Sequence, residues 1–295
     1  MTETLLHEKP PLDPRRNAFR ADLAAKALVG DVEAARFVDG RPGRIFRGAV
    51  PLRKAPDVTL GLETEALFGE TLEVFEEANG WAWAQLSRDG YVGYLPADAL
   101  AFSPLAPTHR VQALGTFLYA EPNIKTPPLL HLPLNAVLTT VDDVDRFVEL
   151  EGGGYVVSRH VAPIDRTARD YAEIAERFVG APYLWGGRTR IGIDCSGLVQ
   201  TSLQAAGLAA PRDSDMQQAE LGEAIALTAE HDGLRRGDLV FWKGHVGVML
   251  DSVMMVHANA HHMAVVIEPL PEAALRIAKA GGPITAIRRL GALGA

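Results

Sequence analysis

The sequence predicts an α+β chain: a β-rich first part built as two small barrels, then a domain that sets one buried helix against an antiparallel sheet. Three observations carry this expectation. Between Arg41 and Pro163, short alternating runs are separated by turn residues, and the pattern occurs twice. After Cys195 the apolar residues take a helical period, and from Gly237 to Ala260 they return to strand-like runs.

The chain has 295 residues, enough for two or three small domains. With 47% hydrophobic and 22% charged residues, the composition is that of an ordinary folded globular chain. A formal net charge of -8 argues against a nucleic-acid partner, which needs a basic face, and offers no attraction to an anionic envelope. A small zwitterionic peptide is easier to reconcile with it. Residues 1–40 show no apolar core behind a basic start, and no run is long enough to cross a bilayer, so the expectation is a cytoplasmic protein with no membrane contact. One unpaired Cys agrees with a reducing compartment.

Taken in order, residues 1–40 form an N-terminal arm. The run DPRRNAFRADLAAKALVG predicts a short amphipathic helix packed on the body, and the prolines at 10, 11 and 14 allow a disordered leader ahead of it. Residues 41–104 form the first barrel, with alternation in LEVFE and WAWAQL and a hairpin at Arg88, Asp89 and Gly90. Residues 105–164 form the second, in which NAVLTTVDDVDRFVELEGGGYVV repeats the order of strand, acidic turn, strand, glycine turn and GYV. Both resemble bacterial SH3-like domains. Residues 165–295 make the last domain, closed by PITAIRRL as an edge strand, with Trp242 of DLVFW in the core.

Cys195, the only cysteine, opens the stretch CSGLVQTSLQAAG, in which Leu198, Val199, Ser202, Leu203 and Ala206 share one helical face and Gly207 ends the helix. A sulfur at a helix start meets free N–H groups and the positive end of the dipole, which favour a thiolate nucleophile. Asp194 opposes this as a neighbouring anion while capping the helix, so an imidazolium is required nearby. Among nine histidines, His245 and His257 stand on adjacent predicted antiparallel strands, in HVGVML and MMVHA. Their side chains share a face only if paired positions sum to an even number, so the connection between the strands is expected to have odd length. His245 then takes the thiol proton and His257 orients its ring. The group HANAHH invites a zinc reading, but it lacks the acidic residue and helical register of common zinc hydrolase signatures; no metal and no cofactor are expected.

PYLWGG, DCSGLVQ, RDSDMQQ, LRRGDLVFW, GHVGVM and VHA, in that order, resemble the NlpC-type, papain-like cysteine peptidases of bacterial cell-wall peptides. The resemblance implies a papain-like fold with Cys195 as nucleophile, His245 as base and His257 as orienting residue, without a metal. It also implies cleavage between γ-D-glutamate and an L-diamino acid. In the recycling members of that group the first barrel caps the cleft and imposes a free terminal amine, which makes a small muropeptide of the L-Ala-γ-D-Glu-diamino acid type the expected partner.

Further candidates face that substrate. Tyr183 is placed to help hold the oxyanion beside the Cys195 N–H, and Trp185 with Gly186 and Gly187 offers a flat wall. Asp194 and Ser196 flank the nucleophile. Asp213 and Ser214 are suited to bind an ammonium group, or else to cap the helix beginning at DMQQAEL. Tyr91 is a candidate lid residue, with Glu63 or Glu65 as the amine's carboxylate partner; Gln200 and Gln217 are possible supports. Two rival functions remain open on these residues: an amidase or acyltransferase using the same nucleophile, and a non-catalytic peptide-binding module.

Overall fold

The computed structural model describes residues 12–104, 106–226 and 233–291. The leader reading on residues 1–11 therefore lies outside the described residues. The arm that follows is not helical. It runs through turns to a two-residue strand, Ala24–Ala25, paired with Phe37–Val38, and a single 3-10 turn, Lys26–Leu28. Tertiary contacts override the helical period. Ala18, Leu23 and Ala25 dock on Trp83, while Arg20 lies 4.3 Å over the Trp83 ring and donates to the Tyr94 hydroxyl at 2.7 Å.

The first β unit holds a five-stranded sheet ordered Val92–Pro96, Trp81–Leu86, Thr71–Ala78, Arg41–Ile45, Leu100–Ala101, with the hairpin Ala49–Leu52 and Thr64–Leu67 beside it. Alternation does the sorting: in Val92–Pro96, Gly93 and Leu95 are buried while their neighbours are half-buried. The second unit repeats the plan, with strands Gly115–Tyr119, Pro128–Pro133, Thr140–Val144, Phe147–Leu150 and Tyr155–Val157 around Leu118, Leu132, Leu150 and Val156. Each has its own apolar cluster.

In the last part of the chain, helices α1 (Tyr171–Glu176), α2 (Cys195–Ala205), α3 (Ser214–Glu220) and α4 (Leu270–Gly281) pack on a six-stranded sheet. Its order is Glu223–Ile225, Ala286–Arg289, Leu239–Trp242, His245–Met249, Met254–Asn259, Ala264–Pro269. Helix α2 is buried at every position except Gln204, and Gly207 ends it at φ +79°. Trp242 is in the core. The expected edge strand is internal: Ala286–Arg289 pairs on one side with Leu239–Phe241 and on the other with Glu223–Ile225, a short, largely exposed strand with no periodic signal of its own.

Register decides which side chains meet. Val248 pairs with Val256 and Met249 with Met255, and the ladder continues in the bond from the Leu250 N–H to the Met254 carbonyl, leaving a three-residue turn, Asp251 to Val253. The sums are even and the turn is odd, so His245 and His257 share a face.

Candidate active site

Cys195 is the first residue of α2, and Asp194 is its N-cap, one carboxylate oxygen accepting the Gly197 N–H at 2.7 Å. The other oxygen accepts the Gly186 N–H and an Arg212 guanidinium N–H, each at 2.7 Å. Ser196 accepts another Arg212 N–H at 2.8 Å, and Gln217 donates to the Ser196 carbonyl at 2.9 Å. Asp194 and Ser196 reach the cleft wall, but their polar atoms are committed to shaping the loop around the nucleophile. The arginine, buried to 1% exposure, was not foreseen; its place beside Asp213 in PRDSD was the available clue.

The glycine lead-in has a steric reason. Gly186 has φ +78°, and a Cβ there would lie 2.5 Å from the Leu62 carbonyl oxygen of the first β unit. The barrel thus closes directly on the nucleophile loop. Arg212 Nε donates to Thr64 Oγ1 at 3.0 Å, and Arg188 donates to the Glu65 carbonyl at 2.7 Å and to Glu70.

A cleft of about 310 Å³ runs over this junction, lined by Cys195, Tyr183, Trp185, Asp213, Ser214 and Glu63, together with Arg15 from the arm. Trp185 is 64% exposed, an open wall; burial and the neighbouring Cys195 push the Tyr183 phenol above its usual range. Asp213 stands at the N-cap of α3 but makes no side-chain cap bond, so the capping reading is not what the structure shows. One of its oxygens accepts from the Tyr91 hydroxyl at 3.2 Å and from Arg15 at 2.9 Å. Tyr91 itself is 2% exposed, its ring locked in the first barrel core, which makes it a fixed prop behind Asp213 rather than a moving lid. The two glutamates separate cleanly: Glu63 lines the cleft, whereas Glu65 accepts the Arg188 N–H at 2.7 Å and serves the junction. Gln200, which donates to Asp89 and the Ala210 carbonyl, lies within the same internal bracing.

His245 Nε2 lies 2.8 Å from His257 Nδ1, and His257 Nε2 lies 2.6 Å from Glu268 Oε1, with Arg276 on the far side of that carboxylate. Helix α4, which carries Arg276, was missed, although Pro271 and Glu272 mark a helix start. His262 turns away to the Asn259 amide oxygen.

The electrostatics correct one expectation. Burial, then Asp194, pushes the Cys195 thiol up to about 12, against N–H groups of Val246 and Ser196 directed at the sulfur and the more distant Arg212. Desolvation of the His245 ring, then His257, pushes it down to about 3. Both shifts favour a neutral thiol and a neutral imidazole over a preformed thiolate and imidazolium. A sulfur with 7% exposure gives up too much hydration for the helix terminus to hold its charge unaided.

A sulfur at a helix mouth, packed on a sheet that carries two hydrogen-bonded histidines, has the parts of a cysteine hydrolase site. Residues 180–276 match the NlpC/P60 family and residues 52–100 match the bacterial dipeptidyl-peptidase SH3 domain, so the chain carries an NlpC/P60 cysteine peptidase domain behind an SH3-like domain. It is 29% identical over 232 residues to the gamma-D-glutamyl-L-lysine dipeptidyl-peptidase of Bacillus subtilis, covering 72% of this chain and 77% of that protein. It is 26% identical to dipeptidyl-peptidase 6 of Lysinibacillus sphaericus, over 74% and 87% of the two chains. An NlpC/P60 family protein from Bacillus cereus has the same fold, with a TM-score of 0.71 at 23% identity, over 86% of this chain and all of that one. No helix among the described residues is long and apolar enough to cross a membrane.

Proposed function

We propose that the chain hydrolyses the bond between γ-D-glutamate and an L-diamino acid in small muropeptides whose N-terminal L-Ala is free. The observation that carries this reading is the carboxylate-lined end of the cleft. Glu63 and Asp213, the latter backed by the Tyr91 hydroxyl, stand where the barrel closes over the nucleophile. A desolvated ammonium needs such partners, whereas an acylated amine has no charge and a single N–H to set against two carboxylates. The names of the Bacillus relatives point to the same bond.

In the reaction, Cys195 Sγ attacks the γ-carbonyl carbon as His245 takes the thiol proton. The Cys195 N–H and the Tyr183 hydroxyl donate to the oxyanion. Collapse breaks the C–N bond, and His245 returns the proton to the leaving amine of the diamino acid. Water, deprotonated by His245, then attacks the thioester, and the dipeptide leaves as the sulfur is reprotonated.

The requirement for a free amine also suggests a place for the reaction. An L-Ala still joined to glycan has its nitrogen in an amide, so the substrate must come from a reaction that has already released the peptide. We place the enzyme in cytoplasmic recycling of such peptides; finding it only in the medium or periplasm would remove that part of the reading.

The decisive experiment digests purified tri- and tetrapeptides, with and without an N-terminal acetyl group, and identifies products by mass. Release of L-Ala-γ-D-Glu from the free peptides alone is expected. Equal cleavage of blocked peptides refutes the amine requirement. Transfer of the acyl group to an added amine in place of hydrolysis would show an acyltransferase, and binding without turnover a peptide-binding module.

A further inference from the structure

The peptidase reading needs His245 to be a base, and a neutral imidazole is a base at only one of its two nitrogens. Which nitrogen that is depends on a row of side chains crossing three adjacent strands. His257 pairs with Val266 across the ladder, which puts Glu268, two positions on, on the same face as His257. His245, His257 and Glu268 thus form a diagonal over one face of the sheet, each within hydrogen-bond distance of the next.

At the outer end, Arg276 donates to both oxygens of Glu268. Burial works against ionisation of this carboxylate, but the bonds from His257 and Arg276 outweigh it and hold it down at about 2. An ionised carboxylate has no proton to give, so the bond at 2.6 Å requires that His257 Nε2 carry the hydrogen. His257 Nδ1 is then an acceptor, and His245 Nε2 must donate to it. The lone pair left on His245 is at Nδ1.

The Asn259 amide nitrogen also lies near His257 Nε2, at 3.0 Å, and would favour the opposite tautomer. Its orientation is fixed, because the amide oxygen accepts the His262 N–H at 2.9 Å. The charged acceptor is both nearer and stronger than this neutral donor, so Glu268 prevails.

We propose that Glu268 is a positioning residue that sets the tautomers of both histidines and so leaves His245 Nδ1 free to take the Cys195 proton. This rests on the peptidase reading for its catalytic consequence, but the tautomers themselves do not.

The test is Glu268→Gln. In that variant Arg276 claims the amide oxygen, the NH2 group turns to His257 Nε2, and both tautomers reverse. We expect kcat to fall about 100-fold with KM within about twofold of wild type, the sign of lost orientation rather than lost binding. Nitrogen-15 NMR of histidine-labelled protein should show Nε2–H on both rings in the wild type and Nδ1–H on both in the variant. Adding Arg276→Met lets the Gln amide flip, and should recover about tenfold of the loss. A variant with unreversed tautomers, or with kcat within threefold of wild type, overturns the assignment. If the wild type releases no diamino acid, the peptidase reading fails while the NMR spectra still decide the positioning role.

Discussion

Asp194 and Arg212 form an ion pair, 2.7 Å between Oδ2 and Nη2, with both side chains almost wholly buried. It lies directly behind the nucleophile. Removing one partner of such a pair leaves an uncompensated charge, so Arg212→Met is expected to cost about 3–5 kcal/mol in denaturant unfolding. The orphaned carboxylate would also push the Cys195 thiol further up, and slower alkylation by iodoacetamide at pH 8 should follow. Unchanged stability would show that the pair is dispensable.

The neutral resting state predicts a distinctive pH profile. Loss of solvent around His245 shifts it from its ordinary 6.5 to about 3, so the base stays unprotonated through mild acid. The thiol at about 12 keeps its proton well above neutrality. The acid limb of kcat/KM is therefore expected below about pH 5 rather than at the usual histidine position. A limb centred between pH 6 and 7 would instead indicate a preformed charged pair.

Arg15 predicts a pH-dependent KM. Burial raises the Asp213 carboxyl, and Arg212 and Arg15 pull it back. In Arg15→Ala one of those restraints goes, the carboxyl rises further, and acidification removes the ammonium's partner sooner. KM for a free-amine tripeptide should therefore climb more steeply on acidification from pH 7 to pH 5 than it does in wild type. Parallel KM curves for the two proteins would reduce Arg15 to a strap.

Glu63 and Glu65 are expected to fail differently. Glu63→Gln weakens a charged contact to the amine, and KM should rise roughly tenfold or more with little change in melting temperature. Glu65→Gln touches the Arg188 N–H instead, and should lower the melting temperature while leaving KM near wild type. The reverse pattern would exchange the two roles.

Much of this site could be read directly from the residues. The spacing of Cys195 from its glycine lead-in, and the even-sum rule for His245 and His257, needed only periodicity. What escaped depended on long-range contact. The arm's run of apolar residues reads as an amphipathic helix, and only docking on Trp83 gathers Ala18, Leu23 and Ala25 on one side. Arg212 and Arg15 are arginines among many until the N-cap of α2 and the start of α3 bring carboxylates to them. Glu268 could have been found by extending the same even-odd rule one strand further. The helix terminus suggested a thiolate because sequence shows the dipole but not the degree of burial.

Arg188 spends its backbone N–H and one end of its guanidinium on Glu65 and Glu70 of the β unit before it, and none of its surface meets solvent. The peptidase half is thus stitched to its neighbour through atoms with nowhere else to turn. Natural recombination that swapped the leading module would have to bring acceptors for these same N–H groups along with it, which ties the history of one piece to that of the other.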